Sequence, residues 1–448
     1  MRKLFGTDGI RGPADQFPLD PSTMFALGES LAHRLSSPGR RPRIIAGMDT
    51  RESSSRIVSA IAAGVEAGGG DVVFGGVMPT PAVAWLCRRH GADAGLSISA
   101  SHNPWPDNGV KIFGSDGMKL ADAMELSIET EMLATRRESH AAPNDPPEEM
   151  CELLSQYEDF LLAGIGELTL SGRTIVLDSG NGAASGIARS VFERAGATVV
   201  SIHDQPDGRN INDGCGALHP EVVASRVCRE NAAFGVAFDG DADRAIFVDD
   251  EGRVRNGDEI LYLWGTDLHD CGELVGETIV ATVMSNFGLE KALEERGIRM
   301  LRASVGDKYV FELMRSSGSV LGGEQSGHII DLRRHTTGDG LHTALATAEI
   351  VRRSGTRLSR LKTFHPMPQM LLNLRVSSKP PLDTIEAYVA ELERWSSVIE
   401  GRGRILVRYS GTENLVRVMV EGEDAEETRA ACEALRDVLA SRIGSDLP

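Results

Sequence analysis

The chain is poor in aromatic residues, lacks closely paired cysteines and has no long hydrophobic run, and each absence excludes a class of protein. Aromatic residues make up 5% of the 448 residues, so the stacking surfaces of single-strand nucleic-acid binders are not expected. The six cysteines are scattered without a CxxC pair, which argues against a disulfide framework or a structural zinc site. The longest uncharged run, residues 72–87, contains two prolines and is too short to span a bilayer.

Positive charge is also scarce. Lysine and arginine number 47 against 65 aspartates and glutamates, which gives a net charge of −18. Because such a surface repels phosphate backbones and anionic lipid, we expect no nucleic-acid partner and no membrane partner. The apolar stretch at the N-terminus stops at Phe5, so it does not form a signal-peptide core, and the expected location is the cytoplasm.

One pattern of a short apolar strand, an amphipathic helix and a second strand occurs three times, beginning near residues 43, 174 and 278. This alternation is typical of βαβ units and predicts mostly parallel sheets. After Pro366 the pattern changes to three strand-like runs and one final helix over residues 425–442. The sequence therefore predicts an α/β protein, with three related mixed α/β domains and a smaller C-terminal α+β domain.

The densest acidic cluster contains Asp239, Asp241 and Asp243, in a loop between two apolar runs. Carboxylates at alternate positions can converge on one hard cation, and their oxygens suit Mg²⁺. An EF-hand shares this opening, but Arg244 stands where that loop needs glycine, and the flanking runs are strands. A solvated acidic turn is the other alternative. It is less favourable, because three carboxylates beside apolar strands repel one another unless a cation neutralises them.

Ser101 and His102 follow a further apolar strand and precede an Asn-Pro pair. They suggest an exposed loop that carries a nucleophile, although serine and asparagine are also ordinary turn residues. The G-x-S-x-G hydrolase motif is absent around Ser101. The glycine-rich segment 179–186 misses the dinucleotide fingerprint, and no Walker motif is present, so nucleotide binding is rejected.

Two further loops have compositions that suit a phosphorylated sugar. In residues 408–417, small hydroxyl residues surround Gly411, and Arg408 and Arg417 could add charge-assisted bonds to a phosphate. The alternative for that loop is a β-turn with two surface arginines. Residues 322–328 bring a carboxylate, an amide, a hydroxyl and an imidazole together, which suits sugar hydroxyls but means little alone.

Taken together and in order, these motifs resemble the α-D-phosphohexomutase superfamily along essentially the whole chain. The matching segments are residues 5–12, 99–104, 239–244, 324–327 and 408–414. Four further segments resemble the subfamily that acts on glucosamine phosphates, namely residues 282–286, 305–309, 323–328 and 336–340. The resemblance implies four domains around a central cleft, which we place at residues 1–153, 154–254, 255–367 and 368–448. It also implies interconversion of glucosamine 6-phosphate and glucosamine 1-phosphate, on the route to UDP-N-acetylglucosamine.

The resemblance further implies roles for individual residues. The implied metal group holds one Mg²⁺ per active site and consists of a phosphorylated Ser101 with Asp239, Asp241 and Asp243. The implied catalytic group is Ser101, His102, Arg11, Lys111 and His328. The implied substrate-binding group is Arg244, Glu324, Ser326, Arg408, Ser410, Gly411, Thr412, Asn414 and Arg417. The intermediate would be glucosamine 1,6-bisphosphate.

Some alternatives stay open on the sequence. Within the superfamily, the chain could be a phosphomannomutase or a phosphoglucomutase. Outside it, a catalytically silent phosphosugar-binding protein or a metal-dependent phosphatase would use similar residues. Asn414 stands where the superfamily usually has proline, and Trp105 and Pro106 replace a commoner pair, so the geometry of these loops is in question. A phosphosugar is the expected partner, and a homodimer is compatible with the sequence.

Overall fold

The structure is a computed structural model that describes residues 4–6, 8–135, 145–165, 169–410 and 413–445. These residues form four sheets with flanking helices. By their internal contacts they divide into two units. The first spans Met1–Met284 with Ile298–Thr363, and the second spans Ser285–Gly297 with Phe364–Pro448.

The first sheet has six strands in the order β1-β2-β6-β5-β3-β4. The strands are β1 (Phe5–Gly6), β2 (Gly9–Pro13), β3 (Arg43–Met48), β4 (Asp71–Val77), β5 (Ala94–Ile98) and β6 (Asp107–Gly114). The accompanying helices are α1 (Pro21–Leu35), α2 (Ser54–Ala67), α3 (Thr80–His90) and α4 (Asp122–Thr135). The α2 helix is the crossover between the parallel strands β3 and β4, and its Ile57, Ile61 and Val65 are buried as their spacing predicts.

The second and third sheets belong to the same unit. The second has the order β11-β10-β9-β7-β8, formed by β7 (Thr174–Asp178), β8 (Thr198–Ile202), β9 (Phe234–Phe238), β10 (Ala245–Asp249) and β11 (Val254–Arg255). The third has the order β13-β12-β14-β15, formed by β12 (Thr278–Thr282), β13 (Arg299–Ala303), β14 (Leu321–Gly323) and β15 (Ile329–Asp331). The helices are α5 (Glu152–Ala163), α6 (Ala188–Arg194), α7 (Pro220–Glu230), α8 (Gly257–Asp270), α10 (Asp307–Ser317) and α11 (Gly340–Ser354).

The second unit contains a three-stranded antiparallel sheet in the order β16-β18-β17. Its elements are α9 (Phe287–Glu294), β16 (Gln369–Arg375), α12 (Glu386–Ile399), β17 (Gly403–Tyr409), β18 (Leu415–Gly422) and α13 (Ala425–Ile443). Buried valines at 416, 418 and 420 of β18 pack in one core with Leu435 and Leu439 of α13. The sequence predicts three strands and the final helix of this unit, but it misses α12. It also places the α9 segment in the third βαβ unit, whereas that segment groups with this unit by its internal contacts.

The predicted fold class is confirmed, but the expectation of mostly parallel sheets holds only for the third sheet. In each of the first three sheets, three parallel strands are extended by antiparallel ones. The reason is the length of the connections, because a loop of only a few residues can join antiparallel neighbours but cannot make a parallel crossover. Such loops join β5 to β6, β9 to β10 and β14 to β15, and another joins β17 to β18.

These four hairpin loops are residues 99–106, 239–244, 324–328 and 410–414. They contain the serine, aspartate, glutamate and hydroxyl motifs that the sequence singles out. The fold thus presents the first three motifs at the ends of buried strands, and the fourth follows the half-buried strand β17. In the part of the chain that the structure describes, no helix combines the length and apolar character needed to cross a membrane.

Candidate active site

Within the first unit, the hairpin loops of three sheets meet. Oγ of Ser101 donates a hydrogen bond of 2.6 Å to Oδ2 of Asp239, which links the first loop to the second. Arg244 and His328 form an isolated antiparallel bridge, and the Ala245 amide donates to the Gly327 carbonyl at 3.1 Å. The structure therefore brings the serine, aspartate and glutamate loops into one site.

Ser101 is held in an unusual backbone conformation and is almost fully buried. Its φ is 54°, in the left-handed region that costs a non-glycine residue free energy. Its amide donates to Oγ of Ser99 at 2.9 Å. Its carbonyl accepts from Arg51 at 3.2 Å and from the Asn212 side chain at 2.9 Å. These bonds fix the direction in which the hydroxyl points.

Asp239, Asp241 and Asp243 are all buried, and one oxygen of each lies within 4.8 Å of the others. Oδ1 of Asp241 and Oδ1 of Asp243 are buried without a hydrogen-bond partner among the residues the structure describes. A buried carboxylate oxygen without a partner is costly. Because Mg²⁺ prefers oxygen ligands and binds through carboxylates, this set of unpaired oxygens fits that ion.

Lys111 is the buried cation that faces this acidic group. Its Nζ lies 2.9 Å from Oδ2 of Asp241, 2.9 Å from Oδ2 of Asp243 and 3.3 Å from Oδ2 of Asp8. Burial alone would lower the pKa of Lys111, but Asp241 and Asp243 raise it well above its usual range. The ammonium group therefore stays charged and neutralises part of the cluster.

The carboxylates themselves are driven in opposite directions. Burial raises the pKa of Asp239 well above its usual range, and the neighbouring Asp243 and Asp241 add to the rise. Burial would also raise the pKa of Asp243, but Lys111 and then His328 lower it well below its usual range. The Asp239 carboxylate, which accepts the hydrogen bond from the Ser101 hydroxyl, is thus poorly stabilised in its charged form, and a cation bound nearby would stabilise it.

A second cationic network extends from this group. Asp8 pairs with Arg11 and with Lys119, and Lys119 also lies 2.5 Å from Oδ2 of Asp307. Burial would lower the pKa of Lys119, but Asp307 and Asp8 raise it. The network ties the first sheet's loops to the start of α10, and the sequence had indicated only Arg11 among its members.

A cavity of about 350 Å³ borders the acidic group. It is lined by Gly6, Asp8, Gly9, Arg11, Asp243, Arg244, Val305, Gly306, Asp307, Glu324 and His328. A larger cavity of about 850 Å³ shares only Asp307 with it and lies between the segments 114–124 and 307–316. The smaller cavity offers two guanidinium groups, which can bind a phosphate, and the carboxylate of Glu324, which can accept hydrogen bonds from hydroxyls.

Glu324 and His328 belong to the same hairpin loop but have different surroundings. Oε1 of Glu324 accepts from the Gly306 amide at 3.1 Å, and Ser326 lies 3.5 Å from the other oxygen. Nδ1 of His328 is 3.5 Å from Oδ1 of Asp243. Burial would lower the pKa of His328, but Asp243 and other nearby carboxylates raise it to about 8.

The other predicted residues of this unit take supporting positions. Nε of Arg244 lies 3.8 Å from Asp243 and 4.0 Å from Asp239. These carboxylates raise the pKa of Arg244, although burial opposes the rise. Nδ1 of His102 is 3.3 Å from the Ser101 hydroxyl. Burial, with help from nearby arginines, lowers the pKa of His102 to about 4, so the ring is neutral at neutral pH.

The fourth hairpin loop lies in the second unit. Arg408 and Arg417 sit directly opposite each other on β17 and β18. Burial lowers the pKa of Arg408, and the neighbouring Arg417 lowers it further. Ser410 is buried and Asn414 is exposed. Gly411 and Thr412, which the resemblance assigns to this loop, lie outside the described residues. Two like charges in one cross-strand pair repel, and a bound anion would relieve that repulsion.

Sequence reasoning missed several residues that position the site. Arg51 is fully buried, pairs with Asp49 and donates to the carbonyl of Asn103 at 2.5 Å. Thr80 donates to Oδ2 of Asp241 at 2.6 Å. The only available signal was a charged Asp-x-Arg pair directly after a buried strand. Asp241 is 161 residues from Thr80, and the carbonyls that Asn212 binds are more than 100 residues from it, so a local pattern could not reveal these contacts.

Known protein families match this chain over most of its length. Four domain models of the phosphoglucomutase/phosphomannomutase family match this chain: α/β/α domain I at residues 2–139, domain II at 155–252, domain III at 256–367 and the C-terminal domain at 371–438. The phosphoglucosamine mutase of Solibacter usitatus is 47% identical over 445 residues, which cover 99% of each chain.

Solved structures show the same fold. A phosphoglucomutase/phosphomannomutase family protein from Burkholderia thailandensis aligns with a TM-score of 0.81 at 23% identity, over 99% of this chain and 100% of that one. The N-acetylphosphoglucosamine mutase of Aspergillus fumigatus, solved with GlcNAc-6P and magnesium, aligns with a TM-score of 0.66 at 17% identity. That alignment covers 97% of this chain and 96% of the other.

Proposed function

Since this chain belongs to the phosphoglucosamine mutases of the α-D-phosphohexomutase superfamily, we propose that it interconverts glucosamine 6-phosphate and glucosamine 1-phosphate through a phosphoserine at Ser101. The reaction is an isomerisation by phosphoryl transfer. The observation that carries the proposal is the Ser101 hydroxyl, held 2.6 Å from Asp239 at the rim of a buried acidic group. A serine that only filled a turn would not require this arrangement.

Asp239, Asp241 and Asp243, together with the phosphate on Ser101, are the residues that would hold Mg²⁺. When bound there, the ion supplies positive charge that offsets the charge on the phosphoryl oxygens. Lys111 supplies a second, permanent positive charge on the opposite oxygens of Asp241 and Asp243. Phosphoryl transfer requires positioning and charge neutralisation more than covalent chemistry from the protein.

The cavity residues have separate tasks in this proposal. Arg11 and Arg244 bind the phosphoryl group that moves between Ser101 and the sugar. Glu324 accepts hydrogen bonds from sugar hydroxyls, and Ser326 donates one to them. The Gly306 amide orients the Glu324 carboxylate. His328, with a pKa raised to about 8, exchanges a proton with the reacting hydroxyl. The bisphosphorylated sugar then returns its other phosphate to the serine.

We assign phosphate binding in the second unit to the fourth hairpin loop. Arg408, Ser410, Asn414 and Arg417, with Gly411 and Thr412, would bind a substrate phosphate that is not reacting. The cross-strand pairing of the two arginines supports this role, because an anion between them replaces repulsion by two charge-assisted contacts.

The proposal also includes a domain division and a location. The boundaries 1–153, 154–254, 255–367 and 368–448 are supported by the extents of the four family-model matches. The six cysteines are all free, which is what a reducing compartment maintains, and this supports a cytoplasmic location.

The test combines an assay with a mass measurement. Glucosamine 6-phosphate, glucose 6-phosphate and mannose 6-phosphate are each supplied with the matching bisphosphate, and formation of the 1-phosphate is followed. We expect the highest kcat/KM for the amino sugar, and intact mass should show one added phosphate that disappears in Ser101→Ala. A higher kcat/KM for glucose or mannose phosphate would refute the substrate. An unphosphorylated protein that stays fully active when the bisphosphate is withheld would refute the phosphoserine.

A further inference from the structure

A second group of three side chains lies apart from the acidic site, at the carboxyl edge of the second sheet. Asp178 is the last residue of β7, and His203 directly follows the neighbouring parallel strand β8. Cys215 immediately precedes the short helix Gly216–Leu218. One ligand atom of each residue lies within 4.8 Å of the others. The group thus combines carboxylate, imidazole and thiol in one place.

The imidazole lies beside the carboxylate, slightly closer than two ligands of one metal ion would be. Nδ1 of His203 is 3.0 Å from Oδ2 of Asp178, yet it is buried and makes no hydrogen bond of acceptable geometry with any described residue. In a tetrahedral site with metal–nitrogen and metal–oxygen distances of about 2.0–2.2 Å, adjacent ligand atoms lie roughly 3.3–3.5 Å apart. A small movement of the ring would reach this spacing.

The sulfur of Cys215 is surrounded by N–H donors. The side-chain amide of Asn181 approaches it at 3.9 Å, and the backbone amides of Asn212 and Asp213 also favour its thiolate form. Such donors around sulfur stabilise the thiolate, the form that binds metals. Burial and the charge of Asp178 raise the pKa of Cys215 to about 12, so the metal-free protein holds the thiol and a cation displaces its proton to solvent.

The carboxylate is oriented by the backbone, and the site is open on one side. The amides of Gly180 and Gly216 donate to the two oxygens of Asp178 at 2.8 and 3.1 Å. Asp178 and Cys215 are buried, whereas the His203 side chain is one third exposed. A fourth ligand can therefore come from solvent, as in three-ligand zinc sites.

We propose that Asp178, His203 and Cys215 bind one borderline-soft transition-metal cation of the Zn²⁺ class, separate from the Mg²⁺ site. Nitrogen and sulfur donors favour such a cation over Mg²⁺, which prefers oxygen alone. This group could not be recognised in the sequence, because its three ligands come from three different loops and show no CxxC spacing. Its role is structural: Asn212, in the same loop as Cys215, donates to the carbonyls of Ser101 and Asn103.

The test titrates Co²⁺ into the full-length, chelator-treated protein and follows absorption. We expect one thiolate-bound Co²⁺ per chain, recognised by a thiolate-to-metal charge-transfer band in the near ultraviolet. Cys215→Ser should abolish the band, and His203→Asn should weaken binding by more than about 100-fold, since even outer partners of metal ligands are worth 10–100-fold. Asparagine is chosen because His203 has a φ of 46°, which asparagine tolerates.

Two controls make the result specific. Cys228→Ser removes an exposed cysteine outside the group and should leave the band unchanged. Asp241→Asn removes an oxygen ligand of the proposed Mg²⁺ site and should also leave it unchanged, so this test succeeds or fails independently of the proposed catalysis. The proposal is overturned if wild-type protein shows no charge-transfer band. It is equally overturned if the band survives in folded Cys215→Ser or depends on Cys228.

Discussion

Lys111→Met provides the sharpest test of the electrostatics of the acidic group. Methionine keeps much of the lysine volume but removes the ammonium that lies 2.9 Å from both Asp241 and Asp243. The lysine side chain is only 2% exposed, so water cannot replace the lost charge. In the metal-free variant, three buried carboxylates face one another without their main counter-charge.

The expected cost follows from that burial. Removing one partner of a buried ion pair costs about 3–5 kcal/mol, because the remaining charge is left uncompensated. Mg²⁺ at 100 times its Kd stabilises a folded protein by about 2.7 kcal/mol. Lys111→Met removes the cation that competes with Mg²⁺ for Asp241 and Asp243. The variant should therefore bind Mg²⁺ more tightly, and the same Mg²⁺ concentration should raise its free energy of unfolding by more than that of the wild type.

The measurement is chemical denaturation of dephosphorylated protein in chelator and in Mg²⁺. Lys308→Met is the matched control, because Lys308 pairs with Asp122, whose side chain is 64% exposed, and surface pairs contribute about 0–1 kcal/mol. A loss below about 1 kcal/mol in chelator for Lys111→Met would refute the reasoning. An equal gain from Mg²⁺ in variant and wild type would refute it as well.

Four further changes test the proposed reaction. Ser101→Ala should lose nearly all turnover in a coupled assay, because the transferable phosphate has no carrier; substantial residual activity would contradict the phosphoserine. Asp241→Asn should mimic chelation and respond weakly to added Mg²⁺, whereas full activity in chelator would make the aspartates structural. Arg417→Ala should raise KM by roughly 10- to 150-fold with a smaller effect on kcat, since a charge-assisted contact is worth about 1.5–3 kcal/mol; an unchanged KM would make the loop a surface turn. Glu324→Gln should lower kcat/KM by about 1.5–3 kcal/mol, equally for glucosamine and glucose phosphates, and a loss confined to the amino sugar would show that Glu324 reads the ammonium group.

The strand and helix positions of the βαβ units could be predicted because periodicity and glycine breaks are local. Ile57, Ile61 and Val65 are buried on α2 as their spacing requires. The direction of β6, β10 and β15 could not be predicted, since periodicity is the same for parallel and antiparallel strands. That direction matters, because it turns the motif loops into hairpins whose tips meet.

The composition of the site was similarly predictable, but its supports were not. The acidic cluster after an apolar strand indicates the three aspartates, because buried carboxylates repel one another without a cation. Ser101 is indicated only weakly by its own loop, and its role follows from the resemblance. Lys119 carries no such signal. Its partners are Asp8, 111 residues earlier, and Asp307, 188 residues later, and only the folded chain brings them together.

The hydrogen bond between Ser101 and Asp239 has a consequence for the proposed phosphoserine. In the unmodified chain, the serine hydroxyl donates its hydrogen bond to the buried carboxylate of Asp239. Phosphorylation removes that donor and adds about 1.5 to 2 negative charges at the same point. The proposed phosphoserine therefore needs Mg²⁺ in addition to Lys111 to offset its charge, and we expect the phosphorylated fraction of the protein to rise with the free Mg²⁺ concentration. We then expect Mg²⁺ depletion to lower the active fraction of the protein even after the metal is restored, because a chain that has lost its phosphate needs a new phosphate donor.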